Sequence, residues 1–308
     1  MDFPLLSNRV RGKMLVYLDS AASNLKPWPV IERVGHFLTY QTSNVHRGAH
    51  FLSDQATTAY EQARNKVAEF IHAESSACVI FTRGTTESAN LVAQSWARTN
   101  LKAGDVILVS EMEHHSNIVP WQLIAEAIGA EIRVLPVTDE GDLDLTQLNQ
   151  LLDSKVKLVA VTHASNTLGT INDVKFVAAR AHEVGAKIFV DGAQMIANHP
   201  VDVQDLDVDF YAFSGHKIFG PYGIGVLYGK KELLEAMPPY QGGGSMISEV
   251  SFVKTTYHDI PFRFEAGTPN IEGALGLAAA LEYVEKLGWE KIEAHEKALL
   301  EMATQKLS

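Results

Sequence analysis

Seven short apolar runs, each breaking off into polar residues, constrain the fold of this chain more than any other feature. Six of them are Cys78–Thr82, Asp105–Ser110, Glu131–Val137, Lys157–Thr162, Lys187–Asp191 and Asp209–Ser214, and Gly223–Tyr228 is the seventh. Helix-compatible stretches lie between several of them, notably Leu145–Leu152 and Val174–Val184, with Pro27–Tyr40 and Ser53–His72 ahead of the first run and Lys231–Met237 after the last. Short continuous apolar runs suit strands buried on both faces, and strand–helix alternation predicts an open, mostly parallel α/β sheet with helices on both faces. Ligands bind such sheets at the carboxyl ends of the strands. Val16–Ala22 reads as a further short strand entering a turn, Ser53 as the cap of the helix after it, and two helices follow from Glu272 onward.

The polar residues at those ends carry chemistry. Asp191-Gly192-Ala193-Gln194 closes one run, and Ser214-Gly215-His216-Lys217 closes the next. A lysine amine can form a Schiff base with the aldehyde of pyridoxal 5'-phosphate (PLP), and a carboxylate can keep the pyridine nitrogen protonated so that the ring draws electrons. A capping Asp and a solvated Lys are the plain alternative, but here both follow apolar strand patterns. Gly84-Thr85-Thr86-Glu87 opens a helix after Thr82, where free N–H groups suit a phosphate, although Thr and Glu also make an ordinary capping box. His114 and His115 are adjacent, which is not the spacing of metal ligands on a helix. Asn166 ends another run, inside a turn containing Gly169. Gln241–Ser245 is Gly-rich but does not join a strand to a helix, so it reads as a mobile loop rather than a phosphate cradle.

Composition excludes several classes. A net charge of -11 disfavours nucleic acid and anionic membranes as main partners. No apolar run reaches the roughly 18–20 residues needed to span a bilayer, and Met1-Asp2-Phe3-Pro4 does not begin a signal peptide. One cysteine, Cys78, permits neither an intrachain disulfide nor a cysteine zinc site and reads as an inert core residue, so the expected compartment is the cytoplasm. No Gly-x-Gly-x-x-Gly follows the first strand, which leaves a dinucleotide-binding protein the weakest reading.

Val190–Gln194 and Phe213–Lys217 resemble the cofactor signatures of class V aminotransferase-fold enzymes, and more narrowly those of the SUF-type cysteine desulfurase group. Further similar stretches are Asn44–Gly48, Thr82–Glu87, Glu113–Asn117, Gln241–Met246 and Arg263–Asn270, so the likeness covers nearly the whole chain. It implies a fold-type I, PLP-dependent homodimer acting on L-cysteine, giving L-alanine and enzyme-bound sulfur for iron–sulfur cluster assembly and a sulfur-acceptor protein. It also implies roles for individual residues. Lys217 forms the Schiff base, Asp191 pairs with the pyridine nitrogen, and His114 stacks on the ring and moves protons. Gln194 bonds the ring hydroxyl, and Asn166 contacts that hydroxyl or the substrate carboxylate. Thr85, Thr86, Ser214 and His216 hold the phosphate, with Thr268 reaching across from a second chain, and Asn44–His50 lies at the site's mouth near the dimer interface.

The resemblance fails in one place. The family carries its nucleophilic cysteine and a substrate-binding arginine on a C-terminal region that these 308 residues do not include. The expected organisation is an N-terminal segment 1–22, a large PLP-binding domain 23–272 and, at 273–308, the helical start of a largely absent small domain, as in a truncated form. A selenocysteine lyase, an aminotransferase, or a non-catalytic PLP-binding remnant that binds partners are the alternatives.

Overall fold

The computed structural model of the chain describes residues 2–307. Its centre is a seven-stranded sheet built from β1 (Val79–Thr82), β2 (Val106–Ser110), β3 (Glu131–Leu135), β4 (Val156–Thr162), β5 (Lys187–Asp191), β6 (Phe210–Ser214) and β7 (Gly225–Gly229). Their order is β1-β7-β6-β5-β4-β2-β3. Every residue of β1, β2, β6 and β7 is buried, which requires cover on both faces, whereas edge strand β3 buries only Leu135 fully.

β2 through β6 pair in parallel, and β7 runs antiparallel to both β6 and β1. Two reversals restore direction, so β1 ends on the same edge as β2, β4, β5 and β6. That edge therefore collects the residues after Thr82, Ser110, Thr162, Asp191 and Ser214. The chain turns back within the sheet between β2 and β4, the kind of switch point at which open α/β sheets form crevices.

The helices of six residues or more are α1 (Trp28–His36), α2 (Phe51–Phe70), α3 (Thr85–Val92), α4 (Val119–Ile128), α5 (Leu145–Leu151), α6 (Val174–Glu183), α7 (Lys231–Ala236), α8 (Ile271–Leu287) and α9 (Trp289–Leu307). On α2, Tyr60, Ala63, Val67 and Phe70 form the buried stripe expected from their spacing, with Ile71 just beyond the helix end. α8 buries Ala274, Leu275, Leu277, Leu281 and Val284 in the same core, while α9 has no buried residue.

Several boundaries differ from those expected. No strand forms at Val16–Ala22: Val16 and Leu18 stay exposed, the Tyr17 hydroxyl donates to Ser23 O at 2.6 Å, and Ala22 N–H turns back to Asp19 O at 3.1 Å. α1 ends at His36, and a π-turn continues to Gln41. The cap of α2 is His50, whose Nδ1 accepts from the Ser53 N–H at 3.4 Å. Ser53 Oγ instead accepts from Gly48 N–H and donates to Asn44 O, bracing the preceding loop. α2 stops at Phe70 rather than His72, where the backbone turns left-handed with φ 53°. Gln241–Ser245 is irregular, and it leads into a hairpin of β8 (Ile247–Val250) and β9 (Thr255–Tyr257) that sequence patterning did not signal.

Candidate active site

A cleft of about 470 Å³ opens at the carboxyl edge of the sheet. Eight of the expected residues line it together: Thr85 and Thr86 from the start of α3, His114 after β2, Asn166 after β4, Asp191 at the end of β5, and Ser214, His216 and Lys217 from the end of β6 and the turn after it. Gln194 lies in an adjoining cavity that shares Lys217, and its Nε2 donates to Ala21 O at 2.8 Å. Thr268 is not in the cleft. It lines a separate cavity beside Arg83 and Gln241.

Asp191 forms the floor. Its Oδ1 accepts from Ala193 N–H at 2.9 Å, and no protein donor reaches Oδ2 among the described residues. Burial raises its carboxyl above the ordinary range, opposed by that hydrogen bond and by the nearby Lys217 and His114. A cationic N–H brought to the free oxygen would offset that cost. Asp191 is held from below, because Gly192 lies flat on Tyr211 and any Cβ there would fall 2.1 Å from the tyrosine ring. The Tyr211 hydroxyl is fixed 3.0 Å from His163 Nδ1.

Lys217 sits in the tight turn Gly215–Lys217, half-buried. Its Nζ has no hydrogen-bond or ion-pair partner among the described residues. Burial lowers its amine below the usual lysine range, and Asp191 pulls the other way. An amine that shed its proton more readily is a better nucleophile toward a carbonyl. His216 is lowered too, by burial first and then by Lys217 and Lys26.

One end of the cleft is the start of α3, lined by Thr85 and Thr86. Gly84 caps this helix without a side-chain hydrogen bond, and its φ of 149° favours glycine. Ser214 Oγ accepts from Thr85 N–H at 2.9 Å and lies 2.9 Å from Thr85 Oγ1, coupling the helix start to the end of β6. The approach is close because Gly225 of β7 backs onto Gly84: a Cβ at 225 would sit 2.4 Å from Gly84 Cα.

His114 caps the turn His115–Asn117, with Nδ1 accepting from Ser116 N–H at 3.2 Å and 2.8 Å from Ser116 Oγ. His115 is exposed beside it, their rings 5.7 Å apart, and no cluster of three metal-ligating side chains exists among the described residues. Cys78 is buried, donates to Glu74 Oε1 at 3.2 Å, and has its thiol pushed up by burial and by Glu74, so it is not a nucleophile.

Sequence reading missed two groups that shape the cleft. Glu113 is buried beneath His114 and accepts from Thr162 N–H at 2.7 Å, from Asn117 Nδ2 at 2.6 Å and from Ser110 Oγ. Burial pushes its carboxyl up to about 8, against the hydrogen bonds from Ser110 and Asn117, with Asp191 adding to the rise. Residues 19–26 were the other omission: Asp19, Ala21 and Ala22 line the cleft, and Asn24 and Lys26 bond the turn holding Lys217. An acid beside the paired histidines was a visible signal for Glu113. Nothing local marked the second group.

The donor set suits PLP: an unpaired amine, an acid with a free oxygen, and a helix start lined by the hydroxyl residues Thr85, Thr86 and Ser214, all in one cleft. The class-V aminotransferase family matches residues 16–308. A cysteine desulfurase of Dickeya dadantii (strain 3937) is 56% identical over 308 residues, all of this chain and 75% of that protein. One from Yersinia pestis (strain Pestoides F) is 53% identical, again over the whole chain and 76% of the relative. The crystal structure of a cysteine desulfurase from Escherichia coli superposes with a TM-score of 0.89 at 45% identity, covering 94% of this chain and 73% of that one. The apo cysteine desulfurase of Thermococcus onnurineus NA1 gives 0.92 at 42% identity, covering 95% and 73%. The chain thus spans about three quarters of the length of these relatives, and in sequence and fold it belongs to the cysteine desulfurases of the class-V aminotransferase family.

Proposed function

We propose that this chain binds PLP in the cleft at the sheet's carboxyl edge and belongs to an enzyme that takes sulfur from L-cysteine, leaving L-alanine. The observation that carries the reading is the unpaired Lys217 amine and the Asp191 carboxylate, with one oxygen unbonded, lining one cavity. Lys217 would hold the cofactor's aldehyde carbon and Asp191 its ring nitrogen. Thr85, Thr86, Ser214 and His216 would hold the phosphate, with Thr268 supplied by a second copy of the chain, and Gln194 and Asn166 would reach the ring hydroxyl or the substrate carboxylate. When bound, the cofactor supplies the electron sink that lets a bond at the substrate's α-carbon break.

The protein's own part is to place and move protons. Lys217, with its amine lowered by burial, takes the α-proton and returns it. His114 has Nδ1 committed to Ser116 and so offers Nε2 for the same traffic. Sulfur transfer to the enzyme needs a thiolate, and buried Cys78 does not supply one. Delivery of that sulfur to an acceptor protein for iron–sulfur cluster assembly belongs to the same proposal. So does a cytoplasmic setting, where free thiols persist, and no helix among the described residues is long and apolar enough to cross a membrane.

The test is cofactor uptake. Incubation with PLP followed by borohydride reduction should leave one covalent adduct on wild-type protein, mapped to the peptide containing Lys217. Lys217→Ala should abolish the adduct while retaining the fold. An adduct spread over surface lysines, or one unchanged in Lys217→Ala, would remove the proposal.

A further inference from the structure

The turn that presents His216 and Lys217 is held by a segment that contributes no side chain to the expected chemistry. Asn24 N–H donates to His216 O at 3.0 Å, and Asn24 Nδ2 donates to Lys217 O at 2.5 Å. Lys26 completes the clamp, its Nζ donating to His216 O at 3.2 Å and to Asn24 O at 2.6 Å. The same ammonium lies 4.7 Å from the centroid of the Tyr222 ring. Tyr222 in turn stacks on His216, with centroids 5.6 Å apart and planes 19° from parallel, and Ser23 Oγ bonds its hydroxyl at 2.9 Å. Ammonium and imidazole thus both pack against the Tyr222 ring.

Lys26 is half-buried and forms no ion pair with a carboxylate among the described residues. Burial pulls its amine down to about 8, so its charge is held at a cost that nothing acidic offsets. A methionine would fill the same space without that cost. What only the ammonium supplies is donors for two carbonyls and a cation on the face of Tyr222.

We propose that Lys26 is a positioning residue for the cofactor's phosphate: by clamping the His216 carbonyl and backing Tyr222, it sets the plane in which His216 meets that phosphate. The inference rests on the assignment of His216 to the phosphate made above. It predicts a defect that depends on the phosphate group, which general loosening of the fold would not produce.

Affinities for PLP and for pyridoxal, which lacks the phosphate, are compared by equilibrium dialysis in wild type, Lys26→Met and Lys26→Arg. Wild type is expected to bind PLP far more tightly than pyridoxal. Lys26→Met should lose about tenfold of the PLP affinity, the scale of one charge-assisted hydrogen bond, with pyridoxal affinity nearly unaltered. Lys26→Arg should recover part of the loss. Tyr222→Leu, at a largely exposed ring, should shift the same ratio in the same direction and serves if Lys26→Met does not fold. Equal weakening of both ligands, or no weakening of either, overturns the role of Lys26. A wild type with no preference for PLP overturns the assignment of His216 beneath it, and the inference with it.

Discussion

Glu113 shows how far one side chain can be moved from its behaviour in water. Burial raises its carboxyl from 4.5 to about 8, so the folded protein keeps a proton that the unfolded chain releases near the ordinary glutamate value. Between those two values the folded state binds more protons, and stability falls as pH rises. This contribution is therefore complete below the unfolded value and lost as pH climbs through about 8. Glu113→Gln should flatten that slope. Its amide turns a donor toward either Thr162 N–H or Asn117 Nδ2, so the variant starts lower by roughly 1–2 kcal/mol. Urea midpoints taken near pH 5 and near pH 9 should fall between the two for wild type and stay closer together for the variant. The sequence showed Glu113 as an acid in a polar loop. That it lies beneath the His114 loop, bonded to Thr162 from a strand 49 positions later, could be known only once β2 and β4 were paired.

At the scale of elements, the end of the cleft proposed for the phosphate is made by glycine contacts between non-consecutive segments. The loop before α3 can reach Ser214 only because β7 offers no side chain at Gly225. Gly225→Ala would place a Cβ 2.4 Å from Gly84 Cα and 2.7 Å from Phe213 O, both backbone atoms that cannot swing away. The expected cost is on the order of 3 kcal/mol, read from urea unfolding, together with weaker PLP binding because α3 is displaced from Ser214. Most elements were legible beforehand. Strands ending at Thr82, Ser110, Thr162, Asp191 and Ser214 were marked by apolar runs, and those runs are what the sheet buries. The errors lie where local pattern meets non-local competition. Val16–Leu18 has strand composition but pairs with no strand and leaves Val16 and Leu18 exposed, and Ser53 has cap chemistry but spends its hydroxyl on Asn44 and Gly48.

Across the whole molecule, one buried ion pair ties distant parts of the chain to the sheet. Arg64 on α2 donates from Nη1 to Glu265 Oε1 at 2.6 Å and from Nη2 to Oε2 at 2.9 Å, although the residues are 201 positions apart. Glu265 also accepts from Phe81 N–H at 2.7 Å and Tyr60 OH at 3.2 Å, and Arg64 donates to Val79 O at 3.0 Å. Burial alone would lower the guanidinium, but Glu265 more than reverses this and holds it fully charged. Arg64→Met leaves Glu265 buried without its cation and should cost about 3–5 kcal/mol. Arg64→Met with Glu265→Gln should cost less than the sum of the two single changes, a coupling that a double-mutant cycle of unfolding free energies measures. Additive costs would mean that solvent screens the pair.

What the amino-acid sequence determined by itself was the α/β class, the strands that deliver the polar residues, and the residue types, an acid at 191 and an amine at 217, that those strand ends present. These are local properties: apolar runs set the strands, and the residue types at their ends set what they can do. The tertiary structure decided the direction of β7 and with it the shared edge on which α3 meets β5 and β6. It also placed Glu113, Asn24 and Lys26 around the cleft and left Thr268 outside it. Those outcomes depend on pairing, close backbone approach and desolvation between segments far apart in the chain, and no window of sequence contains them.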